Sequence, residues 1–149
     1  MTDETPKVRQ LRLVVQVDDF EKAIEFYRDT LGLTEQAAFE GEGDARVMIL
    51  NAGAATLEIA NAAQVTMIDG IEADGVPSAR LRVAFEVADS VSATNELVRA
   101  GGELIAQPRE TPWRSLNSRL ASPDGTQITL FEELESLEER SENPGFSRP

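Results

Sequence analysis

The sequence predicts an α+β fold of two paired β-α-β-β-β modules, and three observations carry that prediction. One stretch recurs at a constant offset of 70 residues, each copy opens on an alternating strand followed by an acid-capped helix, and each then runs into short strands divided by turn residues. In the recurrence, RLVVQVDDFEKAIEFYRDTLG (12–32) faces RVAFEVADSVSATNELVRAGG (82–102), with Arg12 on Arg82, Val17 on Val87, Asp19 on Asp89, Ala23 on Ala93 and Gly32 on Gly102. An internal duplication accounts for both the identities and the shared pattern of strand, cap, helix and glycine stop.

In the first copy Leu13, Val15 and Val17 alternate with Arg12, Val14 and Gln16, which predicts a strand with one strongly apolar face and one mixed face. Asp18 is placed to cap the helix with Glu21 as its reciprocal partner, Phe20, Ile24, Tyr27 and Leu31 fall on one helical stripe, and Gly32 is the natural stop. The second copy repeats this with Val83, Phe85 and Val87 on the apolar face, Asp89 as cap, and Gly101 or Gly102 as terminator. Strands are expected at 34–39, 45–50 and 55–60 in module one, and at 103–107, 117–121 and 126–132 in module two, with SPDG (122–125) as a turn. One domain is thus expected over 9–133, with module one at 9–61, a linker at 62–80, module two at 81–133, and an acidic tail at 134–149 that starts as a short helix.

At 149 residues with 41% apolar content, the chain suffices for one compact unit with a real core. The net charge is −13, of which residues 132–149 supply −4 through six Glu and two Arg, so nucleic acid is an unfavourable partner. No apolar stretch approaches the roughly 20 residues that span a bilayer and no apolar segment opens the chain, so a cytoplasmic protein without a membrane partner is expected. There is no cysteine and no histidine, which excludes thiolate nucleophiles, disulfides, imidazole bases and imidazole metal ligands. Neither a phosphate-cradling G-x-x-x-x-G-K loop nor a G-x-G-x-x-G after a strand is present.

The motif DFEKAIEFYRDTLGL in the first copy, with SPDG followed by an apolar strand in the second, resembles the vicinal oxygen chelate superfamily of glyoxalases, extradiol dioxygenases and bleomycin resistance proteins, over residues 9–133. The resemblance implies sheets that curl together around a cleft, and commonly a homodimer. It also implies a divalent metal held by two His near the start of each module's first strand and two Glu on each module's last. Aligned by the aspartate seven residues downstream, the two His positions fall on Arg12 and Arg82, and the Glu positions fall on Glu58 and Thr129. A guanidinium offers five donors, no lone pair and a pKa above about 12, so it cannot ligate a cation. The expectation is a protein with no metal and no cofactor, without the Lewis-acid chemistry usual in such a family.

By alternation Arg12, Val14 and Gln16, then Arg82, Ala84 and Glu86, face the cleft, together with Thr56, Glu58, Gln127 and Thr129. Two uses of the arginines stay open. They form an anion-binding floor, or Arg12 pairs with Glu58, and Arg82 with Glu86 or another acid, to fill the vacated metal site. Trp113 lies in the loop that overhangs the cleft in such folds, and Phe131 shares the side of Thr129. The candidate ligand-binding residues are therefore Arg12, Gln16, Glu58, Arg82, Trp113 and Thr129. The function expected is binding of a small organic molecule, with drug sequestration as one version. The alternatives are an enzyme in which the arginines stabilise an anion and Glu58 is the base, and a purely structural dimer module with a closed cleft.

Overall fold

The computed structural model describes residues 12–13, 15–56, 58, 60–136, 138–139 and 142; Val14 and most of the tail lie outside them. In chain order the elements are α1 (Phe20–Ile24), which continues as a π-helical stretch at Glu25–Thr30, β1 (Glu35–Glu40), β2 (Arg46–Leu50), α2 (Ala62–Ala73), β3 (Val83–Glu86), α3 (Ser90–Arg99), β4 (Glu103–Glu110), β5 (Ser115–Ala121) and β6 (Gln127–Glu133). Module two is a complete β-α-β-β-β unit. Its sheet runs β3-β6-β5-β4, with β3 parallel to β6 and the other pairs antiparallel. In module one β1 and β2 form an antiparallel hairpin, while the described residues of 12–17 and 55–60 carry no strand, unlike the sequence-based expectation.

The helix starts follow local chemistry. Asp19, not Asp18, caps α1, because its carboxylate accepts the Lys22 N–H at 3.1 Å; Asp89 caps α3 in the same way through Ser92. Past Ile24 the hydrogen bonds widen to five residues, as between the Leu31 N–H and the Phe26 carbonyl. Phe26 on this stretch is fully buried and meets Tyr27 of the expected stripe edge to face at 5.1 Å. Phe20 lies under the Arg46 guanidinium at 4.3 Å instead. Phe26, Leu97, Leu120, Ile128 and Leu130 form the core, with Tyr27, Leu31, Phe85, Val87, Ala93 and Ala100 against them. The module-one helix and α3 thus share one side of the module-two sheet.

The expected linker at 62–80 contains α2, which lies across the other side of that sheet. Asn61 caps it through the Gln64 N–H, and Asp74 ends it in the left-handed region at φ 52°. Its amphipathic signature is missing because the residues it buries are Asp69, Glu72 and Ala73. Arg119 of β5 donates to Asp69 at 2.7 Å, and Arg109 of β4 grips Asp74 with both nitrogens at 2.7 and 3.1 Å. Burial raises the Asp69 carboxyl, but hydrogen bonds from Arg119 and the Ser78 N–H outweigh it and hold the group below the ordinary carboxylate value.

Two glycines test the packing with opposite signs. A Cβ on Gly102 would meet the Leu97 carbonyl oxygen at 2.8 Å and Leu120 at 3.2 Å, so Gly102→Ala should cost about 1–3 kcal/mol in urea unfolding. A Cβ on Gly70, inside α2, meets nothing within 4 Å, so Gly70→Ala should gain up to about 1 kcal/mol. The folded pKa of Asp69 lies below its unfolded one, so its contribution is complete above about pH 4 and disappears as pH falls through the folded value. Stability of Asp69→Asn should therefore decline less than wild type between pH 5 and about 2; parallel declines would contradict the assignment.

Candidate functional site

Alternation along β5 sends Leu120 to the core and Arg119, Asn117 and Ser115 to the α2 side. In register, Arg119 stands opposite Thr129 of β6, and Thr129 opposite Ala84 of β3. Arg82, just before β3, donates to the Thr129 hydroxyl and lies 3.8 Å from Glu72. Arg119 has no exposed surface; besides Asp69 it reaches Glu72 Oε1 at 3.2 Å. Asn117 Nδ2 donates to Glu72 Oε2 at 3.1 Å, and Thr129 Oγ1 donates to Glu72 Oε1 at 3.3 Å.

The Asn117 amide is aimed from behind. Its oxygen accepts from Ser115 Oγ at 2.7 Å, and Ser115 Oγ also meets Thr111 Oγ1 at 2.9 Å, so the amide nitrogen is left to face Glu72. The sheet turns the Arg119 guanidinium, an amide and a hydroxyl as donors onto two carboxylates of α2, with the Arg82 guanidinium 3.8 Å from one of them. Such a face is built to hold anionic oxygens.

Of the sequence-predicted residues, Arg82 and Thr129 are in direct contact on this face, half-buried and buried respectively. Phe131 is half-buried and stands opposite Asn117 in register. Trp113 is half-buried in the tight turn between β4 and β5, where Arg114 takes φ 62°. Arg12 and Glu58 are exposed. Gln16 lines a recess of ≈ 260 Å³ with Asp18, Asp19, Lys22, Ala23, Pro123 and Asp124, none of them among the other candidates. Asp124 in that recess already accepts from Ser122, Thr126 and Tyr27. A second recess, ≈ 350 Å³, lies along the β1–β2 hairpin and includes Phe39 and Val47.

Arg82 takes Glu72, of α2, as its acid; Glu86, the first partner suggested for it, is exposed. Sequence reasoning missed Arg119, Asn117, Asp69 and Glu72. Their signal is present in SLNSRLA, where period two sets Ser115, Asn117 and Arg119 on one face, and in Asp69 and Glu72 three apart. It was hidden by a helix whose inward face is acidic. As for the implied divalent metal, Arg82 donates to Thr129 where two ligands would stand, so these residues present N–H groups and positive charge and do not fit the ion. Among the described residues no group of three or more His, Cys, Asp or Glu could hold one.

A family model described as Glyoxalase/Bleomycin resistance protein/Dioxygenase superfamily matches residues 9–130. No curated protein matches. Among solved structures, TnmS3, an antibiotic binding protein from Streptomyces sp. CB03234, is 24% identical with a TM-score of 0.56, over 87% of this chain and 99% of that one. A glyoxalase-related enzyme from Fulvimarina pelagi is 16% identical with a TM-score of 0.52, over 85% and 89%. A superfamily member from Sphaerobacter thermophilus DSM 20745 is 26% identical with a TM-score of 0.50, over 78% and 90%. With the matched model spanning most of its length, the chain belongs to the Glyoxalase/Bleomycin resistance protein/Dioxygenase superfamily.

Proposed function

We propose that this protein binds a small organic molecule without a metal, using the side of the module-two sheet that carries Arg82 and Thr129. The observation that carries the reading is the hydrogen bond between those two side chains, which puts a donor and a positive charge where a metal-dependent relative needs lone pairs. The structural neighbour TnmS3, an antibiotic binding protein, lends support by using the same fold for binding, and drug sequestration is one form the activity takes. The reading includes a homodimer, supported by Leu13, Phe39 and Val47, which are 56%, 60% and 48% exposed in the single chain. The enzymatic alternative gives the role of base to Glu58, which is exposed, and among the described residues no contact singles it out for that role.

Mn, Ni, Zn or Fe(II) salts added to the purified protein should leave its melting temperature unchanged, whereas specific metal binding would raise it. Stoichiometric metal on elemental analysis of protein as isolated would overturn the reading. Native mass spectrometry of the same preparation should show dimer and, after exposure to a compound library, a retained small molecule; a monomer would remove the homodimer.

A further inference from the structure

We infer that the Arg119 face is a receptor for a small dicarboxylate, held shut in this conformation by Asp69 and Glu72 of α2 standing in for the two carboxylates of the ligand. The inference rests on the reading of that face as a small-molecule site, and adds the chemistry of its ligand and the device that closes it.

Charge comes first. Without α2, Arg119 and Arg82 would be two guanidiniums facing one space, and a buried cation without a counterion is among the costliest arrangements in a protein. An occupant that replaces α2 must bring about two negative charges. Geometry selects how they are arranged: Asp69 and Glu72 set their carboxylates on the two terminal nitrogens of the one Arg119 guanidinium, at 2.7 and 3.2 Å, a close pairing that the two ends of a short aliphatic diacid also reach. One sheet donor is positioned independently, since Asn117 is oriented by Ser115 and Thr111 and not by the helix alone. One donor is left over: Arg119 Nε is buried and has no hydrogen-bond partner. A carboxylate on a helix reaches a guanidinium from a direction fixed by the backbone, while a free one can take the Nε and Nη pair as a fork.

The hold of α2 is of a releasable kind. Its fully buried residues are two acids and one alanine, with Val65, Ile68 and Ile71 only half-buried, so much of its hold is polar. Gly70 interrupts its interior and Asp74 ends it at positive φ, both costly in a helix. Asp69 and Glu72 also sit toward the C-terminal end, where the helix dipole disfavours negative charge, so the donors that face them, Arg119, Asn117, Thr129 and the Ser78 N–H, make the position favourable.

The experiment titrates succinate into the full-length protein by calorimetry and by amide chemical shifts, with inorganic phosphate as the control anion. Wild type should bind weakly, because succinate must displace α2. Glu72→Gln keeps the shape of the plug and all the sheet donors, and should bind at least tenfold tighter. Gly70→Ala touches no ligand group and strengthens α2, so it should bind up to about fivefold weaker. Equal succinate affinity in wild type and folded Glu72→Gln, or a preference for phosphate, would overturn the proposal. Hydrogen exchange on wild type covers the case in which Glu72→Gln does not fold: amides of 62–73 should exchange through local opening, well before those of β5 and β6, and exchange of all three only by global unfolding would overturn it. An uncharged compound retained on the Arg82 and Thr129 face and indifferent to succinate would defeat this inference alone, leaving the broader reading of a small-molecule binder standing.

Discussion

Arg119 holds a full positive charge at a position with no solvent exposure, in the middle of the module-two sheet, and the architecture on that side follows from neutralising it. Water cannot do so, and neighbours on the sheet offer a threonine, an amide and a second arginine, none of them an anion. The counterions come from α2, through Asp69 and Glu72, three residues apart and so on one face of the helix. This requirement draws the connection between modules onto the sheet, where apolar patterning alone would have left it loose.

The two sides of the sheet therefore obey different physics. On one side α3 and the π-helical stretch cover Leu120, Ile128 and Leu130 with Phe26 and Leu97, a contact that depends on apolar area and close packing. Gly102 shows how close that packing is, since no side chain fits between it and Leu97. On the other side the contact is directional, made of charge-assisted hydrogen bonds whose worth depends on every donor having a partner.

On the reading proposed above, the Arg119 face has the reverse polarity of a metal centre. A metal centre gathers lone pairs around a cation, whereas here guanidiniums, an amide and a hydroxyl gather N–H and O–H groups around carboxylates. Strand alternation fixes which residues face inward. The residue types at those positions decide the sign of the charge that belongs there.

The α3 cap at Asp89, the hairpin turn at SPDG and the alternation that puts Arg82 and Thr129 on one face were legible in the sequence, because each depends on residues a few positions apart or on a period of two. The absence of histidine and the arginines at two expected ligand positions likewise needed nothing beyond residue identity. The helix at 62–73 was not legible as part of the site, since its inward face is acidic and hydrophobic periodicity finds only apolar faces. The meeting of Asp69 and Glu72 with Arg119, 50 and 47 residues away, was settled by tertiary structure alone, because a buried charge chooses its counterion by distance in space, which spacing along the chain does not encode.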